Sequence, residues 1–306
     1  MRKIAVSFIL LTLVAMGAFA QNPPTLRIVT EDPTLPSELF YGDVKVKPLR
    51  LRPGTNPPVR ITIDDSDFFV QQHYVDFLSR FPEQSGFNAW MNVLNACAPS
   101  DAACLHEARI TTSAAFFGSQ EFQLKGFYVF RFYKDAFTRL PNYPEMVADM
   151  RAVTGQTQAE VFQKKAAFAN AFVLRPEFTA AYGAMTPAQY VTALMGHYSL
   201  TQITTPDPAA PDGTNKVTLN TAQLTTQLTG GTLTRAQVLR AIADSDQLFT
   251  AEYNPAFVYI EYVGYLRRAP EPQGYSAWLT YLNAHPTDSR TMVNGFMDSI
   301  EYRNRF

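Results

Sequence analysis

The side chains of this sequence best able to do chemistry are four histidines, two cysteines and a few paired acids, and their spacing decides which chemistry is open to them. His106-Glu107 begins a zinc-protease helix but lacks the second histidine four residues on, and His73, His197 and His285 lie far from it. Neither a serine nucleophile elbow nor a glycine-rich phosphate loop occurs. His73 stands beside an apolar helical face, where a histidine satisfied in the core is expected before a ligand. Asp64-Asp65 reads as a pair of helix-start charges and not as an acid–base couple. Cys97 and Cys104 are close enough in sequence to form a disulfide in an exported chain; closing so short a loop contributes roughly 2–3 kcal/mol in the chain-entropy model. Two thiolates alone cannot fill a tetrahedral metal site. Residues 204–213, read as a loop, offer Asp207 and Asp212 as oxygens for calcium but lack the alternating acids and closing Glu of an EF-hand. On these grounds no catalytic residue, cofactor or metal is assigned.

A different set of residues recurs instead. Phe69 to Ala96 and Phe257 to Ala284 align without a gap at a spacing of 188, about half their positions are identical, and the only two tryptophans, Trp90 and Trp278, coincide. The shared pattern places Tyr74, Arg80, Pro82, Gly86 and Trp90 against Tyr262, Arg268, Pro270, Gly274 and Trp278. A weaker copy at an offset of 59 keeps Tyr133, Arg139 and Pro141 but neither the Gly nor the Trp. Each unit closes on a phrase of the form Phe-x-x-Ser-x-Glu-aromatic: Phe116 to Phe122 with Glu121, Phe172 to Phe178 with Glu177, and Phe296 to Tyr302 with Glu301. Ile242 to Leu248 is a looser fourth. The arginines are expected in the last turn of their helices, facing the dipole, and able to pair with Glu121, Glu177 and Glu301. A ligand-binding arginine is the sharper reading; a structural clamp is the preferred one.

The elements that hold these residues are helical. Val70, Tyr74 and Leu78, flanked by Phe69, His73 and Phe77, form an apolar stripe from Asp67 to a stop near Arg80, where Pro82 disfavours helix at the preceding residue. A second helix carries Phe87, Trp90 and Leu94, with the tryptophan expected to anchor it on the first, and Gly86 is expected to adopt a backbone angle that other residues avoid. A third runs from about Asp101 to Gly118. Thr186-Pro187 and Thr234 to Gln237 are further helix starts, the latter with capping-box spacing. Four units follow, near 68–122, 127–178, 187–248 and 256–302. Residues 21–65 differ: they are dense in proline, with alternating runs at Leu26–Val29, Val44–Lys47 and Arg60–Ile63 that predict short strands. The Lys/Arg alternation from Lys45 to Arg52 reads as edge-strand protection and not as a polyanion site.

Arg2-Lys3, an apolar run from Ile4 to Met16 too short to span a bilayer, and Ala18-Phe19-Ala20 predict a signal peptide cleaved after Ala20. Its loss leaves Lys+Arg 24 against Asp+Glu 27, a net charge of −3, too weak to argue for nucleic acid or an anionic surface. No other apolar run is long enough to cross a membrane.

The recurring motif resembles the DUF4214 family, a helical domain of unknown function in exported bacterial proteins, with a distant similarity to the helical linker domain of phycobilisomes. The complete copies and their closing phrases cover about a third of the chain, and the degenerate copies extend the resemblance to most of the rest. The resemblance implies no catalytic residue. The expected organisation is an all-α set of tandem units: a signal at 1–20, a Pro-rich β-prone segment at 21–65, and two pairs of units at 66–182 and 183–306. The expected function is a secreted or periplasmic interaction or scaffold protein binding a protein or an envelope glycan. Self-association as a structural envelope component and action on a glycan as an exported enzyme are the alternatives.

Overall fold

A computed structural model describes residues 26–29, 38–41, 44–46, 51–52, 54–57, 59–155, 157–210 and 215–306. The expected signal peptide, its cleavage position after Ala20 and the Asp212-Gly213 end of the calcium candidate lie outside the described residues. Met1–Pro48 and Leu49–Phe306 separate into two compact units. In the first, β1 (Leu26–Val29), β2 (Glu38–Tyr41) and β3 (Val44–Val46) form an antiparallel meander, with Leu26 opposite Tyr41 and Leu39 opposite Val46. The strand expected at Arg60–Ile63 is not formed; only a bridge between Leu51 and Arg60 is present. Thr62 instead turns towards the first helix, donating from its backbone N to Asp65 Oδ2 at 2.7 Å and accepting from Asp65 N at 3.1 Å.

The second compact unit is helical, and its helices fall into four sets of four. The first set is α1 (Ser66–Leu78), α2 (Gln84–Asn95), α3 (Ala102–Gly118) and the single turn α4 (Gln120–Phe122). The second follows a π-helical segment, Gln123–Phe127, with α5 (Tyr128–Phe137), α6 (Tyr143–Ala152), α7 (Gln158–Phe172) and α8 (Pro176–Tyr182). The third opens on α9 (Pro187–His197), detours through a hairpin of β4 (Gln202–Pro206) and β5 (Lys216–Asn220), and resumes with α10 (Thr221–Thr229), α11 (Arg235–Ala243) and α12 (Asp246–Ala251). The fourth is α13 (Tyr253–Glu261), running into a π-helical segment at Tyr262–Leu266, then α14 (Pro272–Ala284), α15 (Ser289–Met297) and α16 (Ile300–Arg303). Residues 204–206 of the expected loop are therefore strand, paired with 216–218.

The first helix of every set ends in the same way. Ser79, Thr138, Ser199 and Arg267 adopt left-handed φ values of 54°, 52°, 53° and 53°. Such a residue terminates a helix by turning the chain back on its last carbonyls, so the stop comes before the proline and does not wait for it. It also places Arg80, Arg139 and Arg268 two residues beyond the last helical residue, just past the left-handed cap. The dipole account of these arginines is thus replaced by the contacts described below.

Packing crosses the expected boundary between residues 182 and 183. Helix α3 packs on α15, so the first set meets the fourth, and α11 packs on α7 and α5, so the third meets the second. One continuous apolar core results, from Ile63 to Phe306. Gly264 is part of the reason: a Cβ there would enter the Phe77 ring, so only glycine lets α1 and the second π segment approach. A buried polar chain ties the same two sets. His73 Nδ1 lies 2.9 Å from the Phe69 carbonyl, which can only accept, so Nδ1 carries the proton and Nε2 accepts from Ser113 Oγ at 2.9 Å. Tyr265 then donates to Ser113. Beside it Arg305 holds Asp76 through two bonds of 2.8 and 2.9 Å, with the Asp76 side chain only 3% exposed.

Candidate functional site

The repeated polar motif is where sequence analysis concentrated its candidates, and the structure brings them together three times. Arg80 donates through Nε and Nη2 to the two oxygens of Glu121, both at 2.8 Å, and through Nη1 to Glu83 at 2.5 Å and to the Phe81 carbonyl at 3.1 Å. Arg139 makes the same fork on Glu177 at 2.9 and 2.7 Å, a second fork on Glu145 at 2.9 Å, and a bond to the Leu140 carbonyl. Arg268 bonds Glu301 at 2.6 and 3.0 Å, Glu271 at 2.5 Å and the Ala269 carbonyl. Each guanidinium also lies over the motif tyrosine: 4.9 Å above Tyr74, 5.0 Å above Tyr133 and 5.2 Å above Tyr262. A planar fork meeting a carboxylate through two parallel bonds is the strong form of an ion pair. Its chemical consequence here is saturation: both carboxylates and the next carbonyl are spent on one cation.

Burial grades the three clamps. The Arg80 side chain is 19% exposed, against 34% for Arg139 and 39% for Arg268. Burial acts to raise the Glu121 carboxyl, but bonds from Arg80 and Lys125 outweigh it and hold the group below its ordinary value. Lys125, whose side chain is 1% exposed, adds a bond of 2.5 Å to the same carboxylate. The first clamp is therefore the least screened by solvent.

The remaining motif residues fit around the clamp. In the closing phrases Ser119 and Ser299 donate to the carbonyls of Phe116 and Phe296 and accept from the backbone N of Phe122 and Tyr302. One hydroxyl thus joins the end of the third helix to the start of the fourth, and drops the closing aromatic into the core, where Phe122, Phe178 and Tyr302 are at most 2% exposed. Trp90 stacks on Phe116 at 5.5 Å, and Phe116 meets Tyr74 edge-on at 5.0 Å. Trp278, Phe296 and Tyr262 repeat the trio at 6.0 and 4.8 Å. The tryptophans thus stack on the third helix, and Trp90 also reaches the first helix, as expected, through a side-chain bond to Tyr74. Gly86 and Gly274 also differ from expectation: neither has a positive φ. A Cβ on Gly86 would collide with Tyr74 Oη and with Glu83, and on Gly274 with Tyr262 Oη and Glu271. Glycine is required there by close approach and not by backbone angle.

The degenerate units lose the motif in matched steps. At the offset of 59, Trp90 corresponds to Asp149 and Gly86 to Glu145, while Arg175 takes the place of the closing-phrase serine. Asp149 accepts from Tyr133 at 2.8 Å and from Arg175 at 2.6 and 2.9 Å, and Arg175 covers the Phe172 ring at 4.5 Å. A charged pair thus stands where the first and fourth units pack tryptophan on phenylalanine. In the third unit Leu200 follows left-handed Ser199 where the arginine would stand, and Gln247 replaces the glutamate. Arginine and glutamate are lost together, and Gln247 accepts instead from Thr204 N of the hairpin at 2.9 Å.

Sequence reasoning missed Glu83, Glu145 and Glu271, the second acid of each clamp. Pro82-Glu83 and Pro270-Glu271 recur in the two strong copies, and that recurrence was the signal. It also missed Asp149 and Arg175, whose departure from the pattern hid them. Cys97, in the connection after α2, and Cys104, in the first turn of α3, lie at disulfide distance, their Cα atoms 5.6 Å apart. The four histidines stay apart: His73 in the core, His106 at 3.5 Å from Asp298, His197 against the Asp135 carbonyl and His285 against the Tyr281 ring. Asp65 sits at the N-cap of α1 without capping it, because its carboxylate is held by Thr62 and Arg52, and Asp64 bonds Arg303 at 2.5 Å. Among the described residues no three metal-ligating side chains converge, and no helix is long and apolar enough to cross a membrane.

A family model described as a domain of unknown function, DUF4214, matches residues 247–306, which hold the last of the four helix sets. The match is to one copy; it does not extend to the earlier units and gives no link to phycobilisome linkers. No curated protein and no solved structure matches the chain.

Proposed function

We propose that the chain is a non-enzymatic interaction protein built from four copies of one DUF4214-like unit, exported by its N-terminal signal and binding a protein or glycan of the envelope or extracellular space. The tandem reading is supported by geometry that recurs outside the matched segment: the left-handed helix stop, the forked clamp and the serine bridge. Export is supported by the order of charge, apolar run and small residues in 1–20, and by the cysteine pair.

One observation carries the interaction reading. The clamps consume the motif's charges internally, yet in each of the three clamp-bearing units an apolar side chain points to solvent. Phe81, next to Arg80, is 57% exposed; Leu174, next to Arg175 in the second closing phrase, 76%; and Ile300, next to Glu301, 79%. They are three of the six large apolar residues that stay exposed among the described residues. Single exposed apolar side chains are ordinary; these three stand at different positions of the motif, but all three lie on the segments that carry the clamps or the closing phrases, where the backbone is tied down and apolar surface can be offered to a partner.

The test is capture from envelope and secreted fractions by oxidised residues 21–306, compared with the F81S/L174S/I300S variant. The reading expects a saturable partner that the variant loses at an unchanged melting temperature. Equal capture by both proteins would contradict it. Recovery of the bait alone, with a mass that grows with concentration in light scattering, would transfer the same residues to self-association.

A further inference from the structure

Between α7 and α11, against residues 208–210 that follow β4, lies an open cleft of about 450 Å³. Its volume is within the range of small-molecule sites. Small side chains make the room: Ala166 on α7 and Ala209 on the hairpin form its walls, and Gln163 and Asn170 stand on its rim. The spacing 163, 166, 170 places the α7 residues on one helical face. Arg240 of α11 lines the cleft and is only 6% exposed. Its guanidinium lies 3.8 Å from the centroid of the Phe162 ring, and none of its N–H groups reaches an acceptor among the described residues. This is the opposite of the clamp arginines, which are saturated. Its nitrogens are not among the described polar atoms sealed in the interior, so its unpaired donors open on the cleft and are available to an anion there.

The surroundings have an excess of positive charge. Arg131 and Lys165 both bond Asp244, at 3.2 Å each, and both side chains are 5% exposed. Arg240 acts on the same carboxylate from farther off, so three cations share one anion. Burial first, and then repulsion from Arg131 and Arg240, pulls the Lys165 amine down to about 8 against the attraction of Asp244.

We propose that this cleft binds a small organic carboxylate, its charge on the Arg240 fork and its body against Phe162 and the alanine walls. A single planar fork suits a planar carboxylate; a phosphate would call for further donors around its remaining oxygens. Gln163 and Asn170 supply amides for polar groups of the ligand at the rim. The site is independent of the clamps and of the exposed apolar residues.

Two probes separate the sources of such a carboxylate: glucuronate for an acidic sugar and N-acetylphenylalanine for a peptide C-terminus, each titrated into oxidised residues 21–306 by calorimetry, with inorganic phosphate as a third ligand. One of the two carboxylates is expected to bind, with affinity reduced about tenfold or more by R240Q. Because R240Q alters a buried residue, A166L provides a second variant: it fills the cleft from the α7 side, leaves Arg240 in place, and is expected to abolish binding while the far-ultraviolet spectrum stays unchanged. Failure of both carboxylates to bind the parent protein overturns the proposal. So does binding that A166L leaves intact, and so does phosphate binding in place of both.

Discussion

At the scale of single residues, charge in this molecule is either saturated or stranded. The clamp arginines are saturated. Asp135 and Glu261 are stranded: both are 0% exposed, and neither carboxylate oxygen of either finds a partner among the described residues. Burial alone pushes both carboxyls well above their ordinary values. A carboxyl raised on folding binds its proton more tightly in the folded than in the unfolded chain, so its contribution falls as pH rises above the unfolded value near 4. His73 has the opposite sign. Burial lowers it from 6.5 to about 4, so the unfolded chain takes up the proton first and stability falls as pH drops through that window. The double variant D135N/E261Q is therefore expected to melt higher than the parent at pH 8 and to lose much of the parent's decline between pH 5 and pH 8. A parallel pH profile would show that neither group is held protonated. The core position of His73 was legible from the apolar stripe beside it; the two stranded acids were not. Asp135 and Glu261 sit among apolar residues on helices, but so do solvent-facing acids, and only the packing of a second helix set over them decides their exposure.

At the scale of elements, the clamp and the glycine beside it act as one device. In an open helix interior, replacing glycine by alanine stabilises by about 0.5–1 kcal/mol. At Gly274 the added Cβ meets Tyr262 Oη and the Glu271 carboxylate. Glu271 could swing away, but only by releasing Arg268, and the tyrosine ring is fixed against Phe296. Overpacking of this kind costs typically 1–3 kcal/mol and outweighs the helical gain. G274A is thus expected to lower the melting temperature, whereas G196A, in α9 with nothing near its Cβ, is expected to raise it. A G274A protein that melts higher than its parent would remove the close-approach account. Much of this level was readable in advance. The stripe at Val70, Tyr74 and Leu78, the third helix beginning at Asp101 and the capping box at Thr234-Gln237 all reflect local periodicity and local capping chemistry. What failed was also local but lacked a sequence marker. Serine, threonine and arginine do not announce a left-handed residue as glycine does, so the helix stops at Ser79, Thr138 and Arg267 were placed too late.

At the scale of the whole helical unit, one-quarter of the pattern is not enough to bury itself. Each set of four helices leaves an apolar face open, and the first set closes on the fourth while the second closes on the third. Sequence order suggested pairs of neighbours, because nothing in a single chain indicates which repeated face meets which. The clue lies in residues that break the pattern, such as Gly264 opposite Phe77 and Asp76 opposite Arg305, and these acquire meaning only as contacts. The account rests on the claim that the motif's charged residues hold the unit together and are not its binding surface. The most direct measurement is a double-mutant cycle on Arg80 and Glu121, read by urea unfolding of R80A, E121A and R80A/E121A beside the parent. A forked pair at this degree of burial predicts a favourable coupling of about 1 kcal/mol. Additive single effects, with no coupling between the two positions, would contradict it.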